Sequence, residues 1–114
     1  MSLVEESVAL DTDASGAVTR DVNVGPARLF GVAVEIGTLV LPTITLTDEP
    51  GGVPLLAITA LATDARYNLG LPLQGGDGAD TTGLGPPMVL GRIHIALSDG
   101  GATNTGRLVL LVER

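Results

Sequence analysis

Apolar and polar residues alternate in short runs along this chain, and a glycine or proline interrupts the pattern about every ten residues. No segment keeps a helical apolar period for three turns without such a breaker, so the pattern predicts an all-β fold. A first strand is expected over Ser7–Asp11, a turn over Thr12–Gly16, and a return strand over Ala17–Val24, the two forming a hairpin. On the return strand Val18, Val22 and Val24 share a face with Arg20, while Thr19, Asp21 and Asn23 share the other. Gly25-Pro26 ends it.

Over Arg28–Ile36 the alternation directs Phe30, Val32, Val34 and Ile36 one way and Leu29, Gly31, Ala33 and Glu35 the other. Thr43–Thr47 sets Ile44 and Leu46 between threonines, the pattern of a sheet with one wet face, with Pro42 marking its start or an edge. Glu49–Pro54 is expected to turn. Leu55–Thr63 follows as a strand apolar on both faces, a short helix being the alternative. Met88–Ser98 groups Val89, Ile93, Ile95 and Leu97 against Arg92, His94 and Ala96. The turn Asp99–Gly106 then leads into Arg107–Arg114, giving an expected terminal hairpin.

These elements predict one domain over residues 1–114, a two-layer β-sandwich or jelly-roll-like barrel of about seven to eight short, mainly antiparallel strands. A short arm (1–6) precedes it, and a Gly/Pro/Asp-rich loop (68–87) interrupts it; a loop of that length inside a small domain is usually functional or mobile. Three runs, Leu39–Leu41, Leu55–Ile58 and Leu108–Val112, point apolar side chains to both faces. Leu39, Leu41, Leu55, Leu108, Leu110 and Val112 are therefore candidates for contacts between subunits. The alternative is that long loops of the same chain cover those faces.

Composition narrows the chemistry. Hydrophobic residues make up 45% of the 114, enough for a core, yet Phe30 and Tyr67 are the only aromatics, which leaves little for stacking on bases or sugars. The absence of cysteine excludes disulfides, thiol catalysis and zinc–thiolate sites. A net charge of −7 argues against nucleic acid and anionic membranes as partners. No apolar stretch is long enough to span a membrane and the first residues lack the plan of a secretion signal, so a soluble protein is expected.

Each candidate chemical site has a plainer reading beside it. Asp11-Thr12-Asp13-Ala14-Ser15-Gly16 copies the first half of a calcium loop, with Asp11 and Asp13 as ligands, but its twelfth position is Val22 where a bidentate Glu is needed; turn chemistry accounts for the motif better. Gly75–Asp80 fits one calcium-binding β-roll repeat, with Asp77 and Asp80 as candidate ligands, but it occurs once and Thr82 stands at its apolar position. His94 is the sole histidine, none of Ser2, Ser7, Ser15 or Ser98 lies in a nucleophile elbow, and one imidazole is too few for zinc. A carboxylate pair drawn from Asp13, Asp64, Asp77 and Asp80 could in principle serve a glycosidase, though such enzymes usually present aromatic platforms. The six basic residues are all arginine and dispersed, which suits bidentate pairing with carboxylates or reflects compositional bias. No catalytic residue, metal or cofactor is expected.

Three segments carry a resemblance: Val8-Ala9-Leu10-Asp11-Thr12-Asp13-Ala14-Ser15-Gly16, Gly91-Arg92-Ile93-His94-Ile95 with the Gly-Gly turn after it, and Thr105-Gly106-Arg107-Leu108-Val109-Leu110. In layout the chain resembles small all-β virion structural proteins of tailed bacteriophages and prophages, outside the 68–87 loop. The resemblance implies a capsid decoration (cement) protein on the outer head shell, acting without catalysis as a trimer or other symmetric homo-oligomer. Its implied partners are further copies of itself and the major capsid or another virion protein, with the soluble chain passing from the host cytoplasm to the virion. The arm, with Leu3, Val4, Glu5 and Glu6, is the candidate shell contact, since a terminal strand can add to a neighbour's sheet edge. The alternatives are a neck or tail accessory protein, or a calcium- or carbohydrate-binding module using Asp77 and Asp80.

Overall fold

The alternating runs build nine strands over the residues that the computed structural model describes, 3–49, 51–69 and 88–113. They are β1 (Leu3–Asp11), β2 (Val18–Asn23), β3 (Ala27–Glu35), β4 (Thr43–Glu49), β5 (Val53–Ile58), β6 (Ala65–Asn68), β7 (Met88–Val89), β8 (Arg92–Ser98) and β9 (Thr105–Glu113). Sheet A runs β1-β9-β3-β6, with β7 also on β3, and sheet B runs β2-β8-β4-β5. Every pairing is antiparallel, and the two sheets face each other as a β-sandwich.

Both expected hairpins are instead arches between the sheets. β1 pairs with β9 and β2 with β8, so the 12–17 turn carries the chain from sheet A to sheet B, and the 99–104 turn carries it back. The two arches are interlocked, which is why neither closes on its own strands. Gly100 N–H donates to Gly16 O at 2.9 Å, and Thr103 N–H donates to Asp13 O at 3.0 Å. Buried Thr12 supplies the side-chain link: its Oγ1 donates to Gly101 O at 2.7 Å and accepts the Asn104 N–H at 2.8 Å. Gly16 is required here, because a Cβ on it would lie 3.0 Å from Gly101 N and its φ is +84°.

β3 reverses the expected phase at its start. Leu29 pairs with Val112 and Gly31 with Leu111, so Phe30 is an extra residue, a β-bulge. Leu29 is fully buried while Phe30 is half-buried, whereas simple alternation put Phe30 with Val32 and Val34. The Met88–Ser98 segment also divides: β7 lies in sheet A and β8 in sheet B, with Leu90 and Gly91 crossing between them. The expected strand over Leu55–Thr63 runs over Val53–Ile58 instead, with Pro54 on an edge strand, and β6 adds a strand that the pattern did not announce.

The core lies between the sheets, filled by Leu29, Val32 and Val34 of β3, Ile44 and Leu46 of β4, Ile93, Ile95 and Leu97 of β8, and Leu108, Leu110 and Val112 of β9. Leu39 closes one end, packed over Gly100 and Gly106. Each such aliphatic side chain contributes about 1.5–3 kcal/mol by leaving water, so an all-aliphatic core holds the sandwich together without disulfides.

Candidate interaction surfaces

Asp13 lies at the tip of the first arch, and its geometry explains the calcium-like spelling. Its Oδ1 accepts the Ser15 Oγ–H at 2.7 Å, the Ser15 N–H at 2.8 Å and the Ala17 N–H at 3.1 Å. The Ser15 hydroxyl, followed by the Ala17 and Ser15 amides, holds its carboxyl below the ordinary value. Asp13 thus closes an Asx-type turn, while Asp11 is exposed at the end of β1. Asp64 serves a different turn and accepts the Ile36 N–H at 2.8 Å. Asp77 and Asp80 lie outside the described residues. No group of three or more His, Asp or Glu gathers for a metal ion among the described residues.

His94 stands on the outer face of sheet B, directly opposite Asp21 on one side and Thr47 on the other. Its Nδ1 lies 2.7 Å from Asp21 Oδ1, and Arg92 Nε lies 3.7 Å from the same oxygen. This row superficially resembles an acid–base–hydroxyl relay, but the Thr47 hydroxyl donates to Glu49 Oε2 at 3.4 Å, and the row lies on an open sheet face. What it builds is a cross-strand charge cluster tying edge strand β2 to β8. On sheet A, Arg107 grips Glu35 in a bidentate fork, Nε to Oε1 at 3.0 Å and Nη2 to Oε2 at 2.9 Å, which raises the guanidinium pKa. Arg92 and Arg107 therefore pair within the chain.

The buried acid that sequence reasoning missed is Asp48. β4 continues to Glu49, so the alternation that buries Ile44 and Leu46 also turns Asp48 inward, to 4% exposure. Had the strand been extended by two residues beyond Thr47, the period would have flagged it.

The six candidates for subunit contact separate sharply. Leu108, Leu110 and Val112 are fully buried and Leu39 is buried, all inside the chain's own core, so they cannot face a second subunit in this fold. Leu41 is 51% exposed, and Leu55 is half-buried on edge strand β5. The apolar surplus of β9 falls on its alternate residues. Val109 and Leu111 lie half-buried on the solvent side of sheet A beside Gly31 and Ala33 of β3. A shallow depression of about 210 Å³ sits there, with Glu5 on one flank, Arg66 and Asn68 on the other, and Gly31, Ala33 and Leu111 between. Leu3 and Met88, 60% and 52% exposed, occupy one end of the same sheet.

The expected free arm is also corrected. Leu3, Val4, Glu5 and Glu6 belong to β1 and pair with Glu113, Val112, Leu111 and Leu110 of the same chain, because β9 offers nine residues of pairing and β1 extends to use them. Of the expected 68–87 loop, Asn68 instead ends β6 and Leu69 N–H donates to Phe30 O; residues 70–87 are not among those described.

No protein-family model matches this chain, and no curated protein sequence matches it. No helix among the described residues is long and apolar enough to cross a membrane.

Proposed function

We propose that this chain is a non-catalytic structural protein of a virion, a capsid decoration protein of the tailed-phage type that stabilises the head shell by binding copies of itself and the shell protein. The reading rests on the three segments that resemble such proteins and on one observation of the fold. The solvent side of sheet A carries Val109 and Leu111 at its centre and exposed Leu3 and Met88 at one end, where a monomeric sheet would normally carry polar residues. Glu5 and Arg66 flank this surface with opposite charges, which suits a specific protein contact. The outer face of sheet B is threonine-rich and charged, carrying Thr45, Thr47, Asp21, His94 and Arg92, and suits exposure to water.

The test is binding of the purified protein to expanded heads assembled without it, with Leu111→Glu as the surface variant. Saturable binding by the wild type and its loss in Leu111→Glu, with an unchanged fold by circular dichroism, are expected. Failure to bind heads, together with particles of unchanged composition and stability when the protein is missing, overturns the reading.

A further inference from the structure

A sandwich has four sheet edges, and each exposes backbone groups that could pair with another chain. Three of the four here are blunted. β5 contains Pro54 and a register shift beside it, the β6 and β7 flank of β3 consists of strands of four and two residues, and β2 has only six residues. β1 differs. It has nine residues, no proline and no register shift against β9, and it has a strand on one side only among the described residues.

The direction of its backbone groups follows from the arch. Thr12 N–H donates to Asn104 O at 2.9 Å, so position 12 bonds toward β9, and in an antiparallel ladder positions 10, 8, 6 and 4 do the same. Leu3, Glu5, Ser7, Ala9 and Asp11 therefore direct their N–H and C=O groups away from β9, along the open edge.

We infer that this edge pairs antiparallel with β1 of a second copy of the chain, about a two-fold axis through Ser7. In that register Ser7 faces Ser7, Glu5 faces Ala9, Leu3 faces Asp11, Glu6 faces Val8 and Val4 faces Leu10. All nine residues pair, and no two like charges meet. Outward-directed positions meet outward-directed positions, as antiparallel bonding requires, and the core-facing sides of both strands stay on one face. The neighbouring two-fold registers are penalised: centring on Glu6 sets Glu6 against Glu6, and centring on Val8 sets Glu5 against Asp11. The acids thus select the register, and sheet A becomes continuous across an isologous dimer.

This deepens the assembly reading by naming the surface and the symmetry of self-association, and it is tested without any virion. The chain has no cysteine, so single cysteines report cleanly. Ser7→Cys is expected to give a covalent dimer with a short thiol–thiol crosslinker, since facing Cα atoms in such a pair are about 5.5 Å apart. Ala9→Cys, whose copies would lie about 14 Å apart, is expected to react far less, and Ser98→Cys on sheet B not at all. Ser7→Pro removes an outward N–H while leaving the β9 bonds in place, and is expected to shift the mass in light scattering toward the monomer with unchanged circular dichroism. A wild type that stays monomeric up to about 1 mM overturns the inference. So does an oligomer that survives Ser7→Pro and gives no crosslink in the Ser7→Cys variant; that result leaves head binding, and with it the decoration reading, standing.

Discussion

Asp48 turns both carboxylate oxygens to the backbone N–H of Leu90, each at 3.2 Å. Leu90 is where the chain leaves sheet A after β7 and crosses to β8 in sheet B, so a buried acid on β4 satisfies the amide of that crossing. Asp48→Ala is expected to destabilise the fold by about 1–3 kcal/mol, because it removes a charged acceptor from this part-buried N–H. Asp48→Asn keeps one carbonyl oxygen and is expected to fall between the two. Urea unfolding of the three proteins checks this, and an alanine variant as stable as wild type would show that the contact contributes nothing.

Thr12 plays the corresponding part at the opposite end. Its hydroxyl donates to Gly101 O and accepts from Asn104 N, joining the two arches that carry the chain between sheets. Thr12→Val keeps the shape and removes both bonds, so a loss of about 1–3 kcal/mol is expected. Amide exchange separates local from global effects: the amides of Thr103 and Gly100 should exchange faster in the variant, because their bonds to Asp13 and Gly16 join the same arches.

Leu41 is strained as well as exposed, with φ +46°. The left-handed region costs a residue with a Cβ about 1–2 kcal/mol. Glycine removes that strain but adds freedom to the unfolded chain worth about 0.5–1 kcal/mol, so Leu41→Gly is expected to stabilise the protein by about 0.5–1 kcal/mol. Leu41→Ala, which keeps the strain, should not raise the melting temperature. A rise in both would place the gain in lost apolar exposure instead.

Acid should weaken the first arch in a defined window. The folded-state pKa of Asp13 lies below its ordinary value of 3.8, so its contribution is fully present above that pH and is lost as pH falls through the folded value. Asp13→Asn removes the charge at every pH. Wild type is therefore expected to exceed Asp13→Asn in melting temperature at neutral pH, with the gap unchanged down to the ordinary value and closing below it. A gap that begins to close near neutral pH would assign the effect to another group.

The strand content was legible from period-2 alternation because most strands here have one face in the core: Ile93, Ile95 and Leu97 against Arg92, His94 and Ala96 fold as their pattern reads. Connectivity was not legible. The Thr12–Gly16 cluster spells a tight turn whether the chain returns in the same sheet or arches to the other, and the bonds that Thr12, Asp13 and Gly16 make across to residues 100–104 distinguish the two. The surplus of leucines on β9 did signal an outward apolar face, but the run Leu108–Val112 does not say which alternate set is outward. β3 and β8 settle that by burying Leu108, Leu110 and Val112, which leaves Val109 and Leu111 toward solvent. Asp48 was hidden for a related reason, since an acid after a threonine-rich strand reads as the start of a turn.

The bulge in β3 gives the sharpest local test of this geometry. Plain alternation buries Phe30 with Val32 and Val34, whereas the register shift between Leu29 and Gly31 buries Leu29 and leaves Phe30 only half-buried. The two arrangements predict opposite mutational rankings. With the bulge, Leu29→Ala opens a cavity in a closed aliphatic core and should cost about 2–5 kcal/mol. Phe30→Ala gives up only partial burial on the solvent side and should cost about 1 kcal/mol. Denaturant midpoints at equal slope measure both, and the slopes must agree for the comparison to hold. A Phe30→Ala loss equal to or larger than that of Leu29→Ala would mean that β3 runs without its bulge. Phe30 would then face Val112 and Leu29 would face Glu113, while Gly31 would stay opposite Leu111 on the floor of the shallow depression between Glu5 and Arg66.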